Sequence, residues 1–134
     1  MRLLYHPLIV HFPVALWLTS FLFDLIYART RQTFFTTASN YLIGLGLLGA
    51  VASVISGFVD YIPLVREGIG QAFVDRHRVH SLTAYASSIV YLGILVSRWR
   101  WRPLSTVAYL GPALVGAVLI AIVGYLGGEI RRVM

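Results

Sequence analysis

Nearly all the chemistry this chain can offer sits in four histidines and two carboxylates. They are His6 and His11 in HPLIVHFP, Asp60 in SGFVDY, His77 and His80 in DRHRVHS, and Glu129 in GYLGGE. Imidazole and carboxylate together are a ligand set for haem iron or for a transition-metal ion, and the same groups can pass protons. On an ideal helix His6 and His11 lie about 7.5 Å apart along the axis and point about 140° apart, which sets them badly for one shared ion unless Pro7 and Pro13 distort this turn. His77 and His80 are about 60° apart, with His77 one turn nearer the end of its helix. On its own face His11 is followed one turn on by Ala15 and then Thr19, as His80 is by Ala84 and Ser88. A small residue beneath each of these histidines leaves room for a flat porphyrin.

This pattern makes His11 and His80 candidate axial ligands of a b-type haem, with Arg78 or Arg76 placed to hold its propionates. Asp60 and Glu129 would then orient imidazole N–H groups or handle protons. Two alternatives stay open. One is a copper, iron or zinc ion held by three or more of His6, His11, His77 and His80 with a carboxylate; the other is a proton-coupled transport or partner subunit. Plainer roles exist for each group. A single interfacial histidine can serve as a hydrogen-bonding side chain. Asp60 can pair with Arg66 or Arg78, and Glu129 can pair with the arginines that follow it. Asp24 is expected as an interfacial acid near Arg29.

Composition says what must carry these groups. Of 134 residues 58% are hydrophobic and 12% charged, against about a quarter charged in soluble domains. With a mean hydropathy of +0.79, the chain reads as an integral membrane protein with the lipid bilayer as its solvent. There is no cysteine, which excludes disulfides, thiolate zinc sites, thiol catalysis and covalent haem attachment. The formal charge is +6 and every cation is arginine. These arginines flank apolar runs, as interfacial anchors do, and do not suggest a nucleic-acid surface. No nucleophile–base pair or phosphate-binding loop is recognisable, so a redox carrier or binding protein is expected rather than a hydrolase or transferase. Arg2 precedes an apolar stretch without a small-residue cleavage site, and the first helix is expected to be retained.

A bilayer core of about 30 Å takes roughly 20 apolar residues in a helix. Four stretches qualify, at about 7–28, 41–61, 80–97 and 104–128. The expected fold is all-α: one domain over residues 1–134, an integral membrane antiparallel four-helix bundle. Ser39 or Asn40 is expected to cap the second span, Pro63 to follow its end, and Gly111-Pro112 to disturb the fourth. Because spans alternate in direction, His6, His11, Asp60, His77, His80 and Glu129 should share one membrane face. The loops after spans one and three hold Arg29, Arg31, Arg98, Arg100 and Arg102, five arginines against six on the histidine side. These two short loops favour a cytoplasmic placement, with both termini extracytoplasmic. Small residues recur every four positions at Gly49, Ser53 and Gly57, at Ala52, Ser56 and Asp60, at Ala113, Ala117 and Ala121, and at Gly124 and Gly128. Such stripes are expected to bring helix backbones close.

The combination HPLIVHFPVAL, a Gly-rich span ending GFVDY, then RVHSLTAY and GYLGGE resembles the "domain of unknown function 2231" family of predicted prokaryotic membrane proteins. The resemblance runs over nearly the whole chain, and its most specific part is HPLIVHFP. It implies a prokaryotic inner-membrane location and family polar positions at His6, His11, Asp60, His80 and Glu129, with His77 an addition in this chain. Family members fused to Rieske-type or cytochrome-type domains point to redox chemistry. The expected partners are membrane or extracytoplasmic redox proteins or quinone, and a homo-oligomer is compatible with the sequence.

Overall fold

A computed structural model describes residues 5–101 and 104–133. Arg2, Arg102 and Met134, all part of the charge and topology reading, lie outside them. Among the described residues the regular elements are helices: α1 (His6–Ile9), α2 (His11–Thr30), α3 (Thr33–Arg66), α4 (Gln71–Arg100) and α5 (Thr106–Arg131). Counting α1 with α2, four of these stretches are long and apolar enough to cross a bilayer. The break between α1 and α2 falls at Val10, whose backbone stays in the right-handed helical region. Pro13 has no N–H to offer the Ile9 carbonyl, so the ladder loses a bond there while the chain keeps its direction.

The helices overrun the expected spans. α3 begins at Thr33, not Tyr41, and passes through Pro63 to Arg66. α4 begins at Gln71, so the polar DRHRVH segment is helix and not connector. Polarity ended the apolar windows in the sequence, but it does not end a helix whose side chains reach the headgroup region. Ser39 is not a cap. It is fully buried inside α3, and the first turn there follows Gln32 without any side-chain cap. Arg31, in the left-handed region at φ 59°, makes the tight turn between α2 and α3.

The helices form a square in the order α2, α3, α4, α5, with α2 packed on α3 and α5, and α4 on α3 and α5. The α2–α4 diagonal is closed by side chains at three levels: His6, at the head of α1, against His80, Trp17 against Tyr91, and Asp24 against Arg98. The middle level is a stack with ring centroids 4.1 Å apart at 13°, and Trp17 Nε1 donates to the Ile43 carbonyl. Ile43, Ile94, Ile120 and Val123 complete the core around it.

The two hairpins echo each other. The buried positions of α2 are Pro13, Trp17, Ser20 and Asp24, and 74 residues later come Ser87, Tyr91, Ile94 and Arg98, all buried in α4. In the second helix of each hairpin Ser39, Ile43, Gly46 and Ser53 correspond to Tyr109, Ala113, Gly116 and Val123. Trp17 lies on Gly46 as Tyr91 lies on Gly116, and His6 lies on Gly57 as His80 lies on Gly127.

The small-residue stripes divide accordingly. Gly46 and Gly49 admit Trp17, Phe12 and Pro13. A Cβ on Gly124 or Gly128 would meet nothing within 4 Å, so that stripe brings no helix close and leaves open space instead.

Candidate functional site

At the histidine end the square opens into a cavity of about 530 Å³, within the range of about 300–1,000 Å³ usual for small-ligand sites. His6, His11, Asp60, His77 and His80 all line it, as alternating spans require. The pair facing across the diagonal is His6 and His80, with ring centroids 6.1 Å apart. The expected partner, His11, is exposed at the rim, its Nδ1 donating to the Pro7 carbonyl one turn back. Helix phase explains the exchange. The buried face of α2 runs through Trp17 and Pro13, and one heptad above Pro13 it reaches His6, leaving His11 on the flank with the exposed Ala15.

His6 is held firmly. Its Nδ1 is 2.8 Å from the Ser53 carbonyl and 3.3 Å from Ser56 Oγ. A carbonyl only accepts, so Nδ1 carries the proton and the Nε2 lone pair is free when the ring is neutral. The backbone N–H of His6 donates to Asp60 Oδ2 at 2.8 Å. Asp60 therefore caps the first turn of α1, where a carboxylate also meets the positive end of the helix dipole. It is not bonded to an imidazole.

His80 is 6% exposed, and its Nδ1 has no hydrogen-bond partner. A polar atom buried without a partner costs about 1–3 kcal/mol, which marks it as a group that a bound molecule would satisfy. His77 is half-buried, stacked on Tyr61 at 4.1 Å and 6.4 Å from the His80 ring. The extra histidine thus joins the cluster. Below the rings a void of about 60 Å³ continues towards Trp17 past Ser53, Ala84 and Ser88, so the small residues under His80 do leave room. Among the described residues no group of three or more His, Asp or Glu stands at metal-binding spacing.

The remaining expected members stand apart. Glu129 does not line the cavity; its carboxylate takes Arg76 at 3.1 Å and Arg132 at 2.6 Å. Arg76 also donates to the Glu129 carbonyl, tying α4 to α5. Arg78 is exposed and away from the cavity, where the basic group present is Arg131. Arg131, Tyr61 and Phe73 are the lining residues that sequence reasoning missed. Tyr61 and Phe73 sit within a turn or so of Asp60 and His77, and only the tertiary stack reveals them.

The other end holds a second ionisable cluster. Asp24 and Arg98 are 1% and 2% exposed and pair in two places, Nη2 to Oδ2 at 2.6 Å and Nη1 to Oδ1 at 3.1 Å. Arg98 also donates to Ser39 Oγ, and Tyr109 donates to Asp24 Oδ1 at 2.8 Å. The Tyr109 proton is thereby committed, so Thr36 Oγ1 donates to Tyr109. The Arg98 guanidinium lies 4.0 Å from the Tyr109 ring centre. Asp24 is thus no interfacial acid beside Arg29. It is the buried centre of a four-helix clamp, and Arg98 is its counter-ion rather than a surface anchor.

A family model described as a predicted membrane protein (DUF2231) matches residues 4–133, and the chain belongs to that family. No curated protein and no solved structure matches it.

Proposed function

We propose that this DUF2231 membrane protein binds a b-type haem at its histidine end, with His6 and His80 as ligands, and works as a membrane electron carrier. The observation that carries this reading is the pair itself: two imidazoles from different spans, 6.1 Å apart between ring centres, beside a cavity of about 530 Å³. Metal–nitrogen bonds of about 2.0–2.1 Å place two imidazole centres on one metal roughly 6 Å apart. Donation from His6 Nδ1 to a backbone carbonyl is the usual support of a ligating histidine and leaves Nε2 for the metal. His80 is the buried ring with an unsatisfied nitrogen. Gly57 and Gly127 let both rings sit against helix backbone, and Arg131 at the rim takes the role expected of Arg78, pairing with propionates. Haem would supply the one-electron chemistry, and His6 and His80 would hold it.

The other reading is a copper, iron or zinc ion held by histidines; His77 lies 6.4 Å from the His80 ring, although among the described residues no group of three stands at metal-binding spacing. The spectrum of detergent-purified protein separates the two. The haem reading expects a Soret band and a sharp reduced α-band, or their appearance on adding haemin. A folded, colourless protein that takes up no haemin ends it, and metal analysis of that sample then tests the ion. We place both termini outside the cytoplasm. A reporter fused at the C-terminus should read as extracytoplasmic and one after Arg100 as cytoplasmic; the opposite result moves the site to the inner face.

A further inference from the structure

The clamp end carries a second cavity, of about 240 Å³, walled by Arg31, Arg98, Tyr27, Tyr109 and the hydroxyls of Thr36 and Thr106. We propose that this cavity binds a phosphate group, in the class of an anionic lipid headgroup or free phosphate. Three observations carry it independently of the histidine site.

The first is charge. Asp24 is the one carboxylate beside this cavity among the described residues, and both its oxygens are taken by Arg98 and Tyr109. The guanidinium of Arg31 has no carboxylate in reach; its Nη2 donates to Thr106 Oγ1 at 3.1 Å, and its charge lies 6.0 Å from the Tyr27 ring. The cavity is therefore net positive, with no acid lining it. The second is shape. Arg31 occupies the left-handed region at φ 59°, where a non-glycine residue is uncommon. This backbone turns its side chain to the α5 side of the cavity, onto Thr106. The same residue ends α2, its N–H donating to the Tyr27 carbonyl, so the turn that closes the helix also sets the guanidinium at the cavity. The third is lining chemistry. Apart from Ala28 and Leu104 every lining residue carries a guanidinium, phenol or hydroxyl group. Arg31, Tyr27, Thr33 and Thr106 are those whose protons are not all given to Asp24 or Tyr109, donors of the kind phosphate oxygens accept from. Arginines just outside the apolar span lie at the depth of lipid phosphates.

The test uses the whole chain in detergent, freed of lipid. Binding is measured for inorganic phosphate, for phosphatidylglycerol, and for a neutral glycolipid as reference, by native mass spectrometry and thermal shift. Phosphatidylglycerol retained over the glycolipid, with phosphate giving no shift, identifies the lipid source; a shift with phosphate alone identifies the free anion. Arg31→Gln should weaken whichever binds at least tenfold, and Thr106→Val severalfold, while Arg29→Gln, outside the cavity, should leave it unchanged. Neither probe binding overturns the proposal. Equal losses in Arg29→Gln and Arg31→Gln also overturn it, because they reduce the effect to general attraction by basic charge. Unfolding of each variant is followed separately, so a misfolded Arg31→Gln is recognised, and Arg31→Lys should then retain partial binding.

Discussion

The two ends of the bundle present ionisable groups to the same bilayer and use them in opposite ways. At the clamp end Asp24, Arg98, Tyr109, Ser39 and Thr36 bond to one another across four elements, and the two buried charges meet as an ion pair. At the histidine end the rings are held in place, but one buried nitrogen lacks a partner and the space beside them is open. An ionisable residue at membrane depth is a functional candidate by default. The contrast shows that whether a charge meets its counter-charge, not its depth, separates a staple from a site.

The sharpest way to break the comparison is to remove one half of the staple. Asp24→Ala leaves the Arg98 charge buried alone and should cost about 3–5 kcal/mol, seen as a large drop in melting temperature in detergent. Asp24→Leu combined with Arg98→Met should recover most of that loss, since an apolar pair can replace a buried ion pair. A small effect of Asp24→Ala would show that water reaches the clamp and that the two ends do not differ.

Next comes the layer between the ends. Gly46→Ala puts a Cβ 2.2 Å from Trp17 Nε1, so the indole must leave its stack on Tyr91; overpacking of this kind costs about 1–3 kcal/mol. Gly124→Ala, in open space, should instead stabilise α5 by up to about 1 kcal/mol from helix propensity. Similar melting shifts for both would mean that the helices close over Gly124 in the membrane.

Asp60→Ala removes the cap on α1 and should cost about 1 kcal/mol, while Asp60→Asn should cost less. Full retention of stability in Asp60→Ala would leave the carboxylate available for the site rather than the helix.

His80→Ala should change stability little, by about 1 kcal/mol, because the packing lost with a buried ring is offset by removing a buried nitrogen that lacks a hydrogen-bond partner. It should nevertheless abolish haemin retention, as should His6→Ala, whereas His11→Ala should keep most of it. Equal retention in all three variants removes the ligand assignment. A melting loss in His80→Ala as large as that of Asp24→Ala would make the histidine end a second staple.

The architecture was legible in the sequence because apolar runs of about 20 residues admit few folds in lipid, and alternation then put six distant polar residues on one face. That His6 rather than His11 faces His80 was not. Both sit in one short motif, and the choice depends on which side of α2 meets the axis, a phase that Pro13 and Trp17 fix only through α3. The Asp24–Arg98 pair was hidden for another reason. RWRWR reads as an interfacial anchor, and nothing local reveals that its first arginine turns inward to an acid 74 residues away. The helices run beyond the apolar spans into polar sequence, as at Thr33 and Gln71, because polarity does not end a helix at the headgroups.

The matching burial of the two hairpins bears on self-association. Asp24 and Arg98 occupy equivalent places in the halves, as Trp17 and Tyr91 do. A single hairpin paired with its own copy would set carboxylate against carboxylate, or guanidinium against guanidinium, in the interior. The opposite charges of the two halves therefore make each hairpin a better partner for the other than for a second copy of itself.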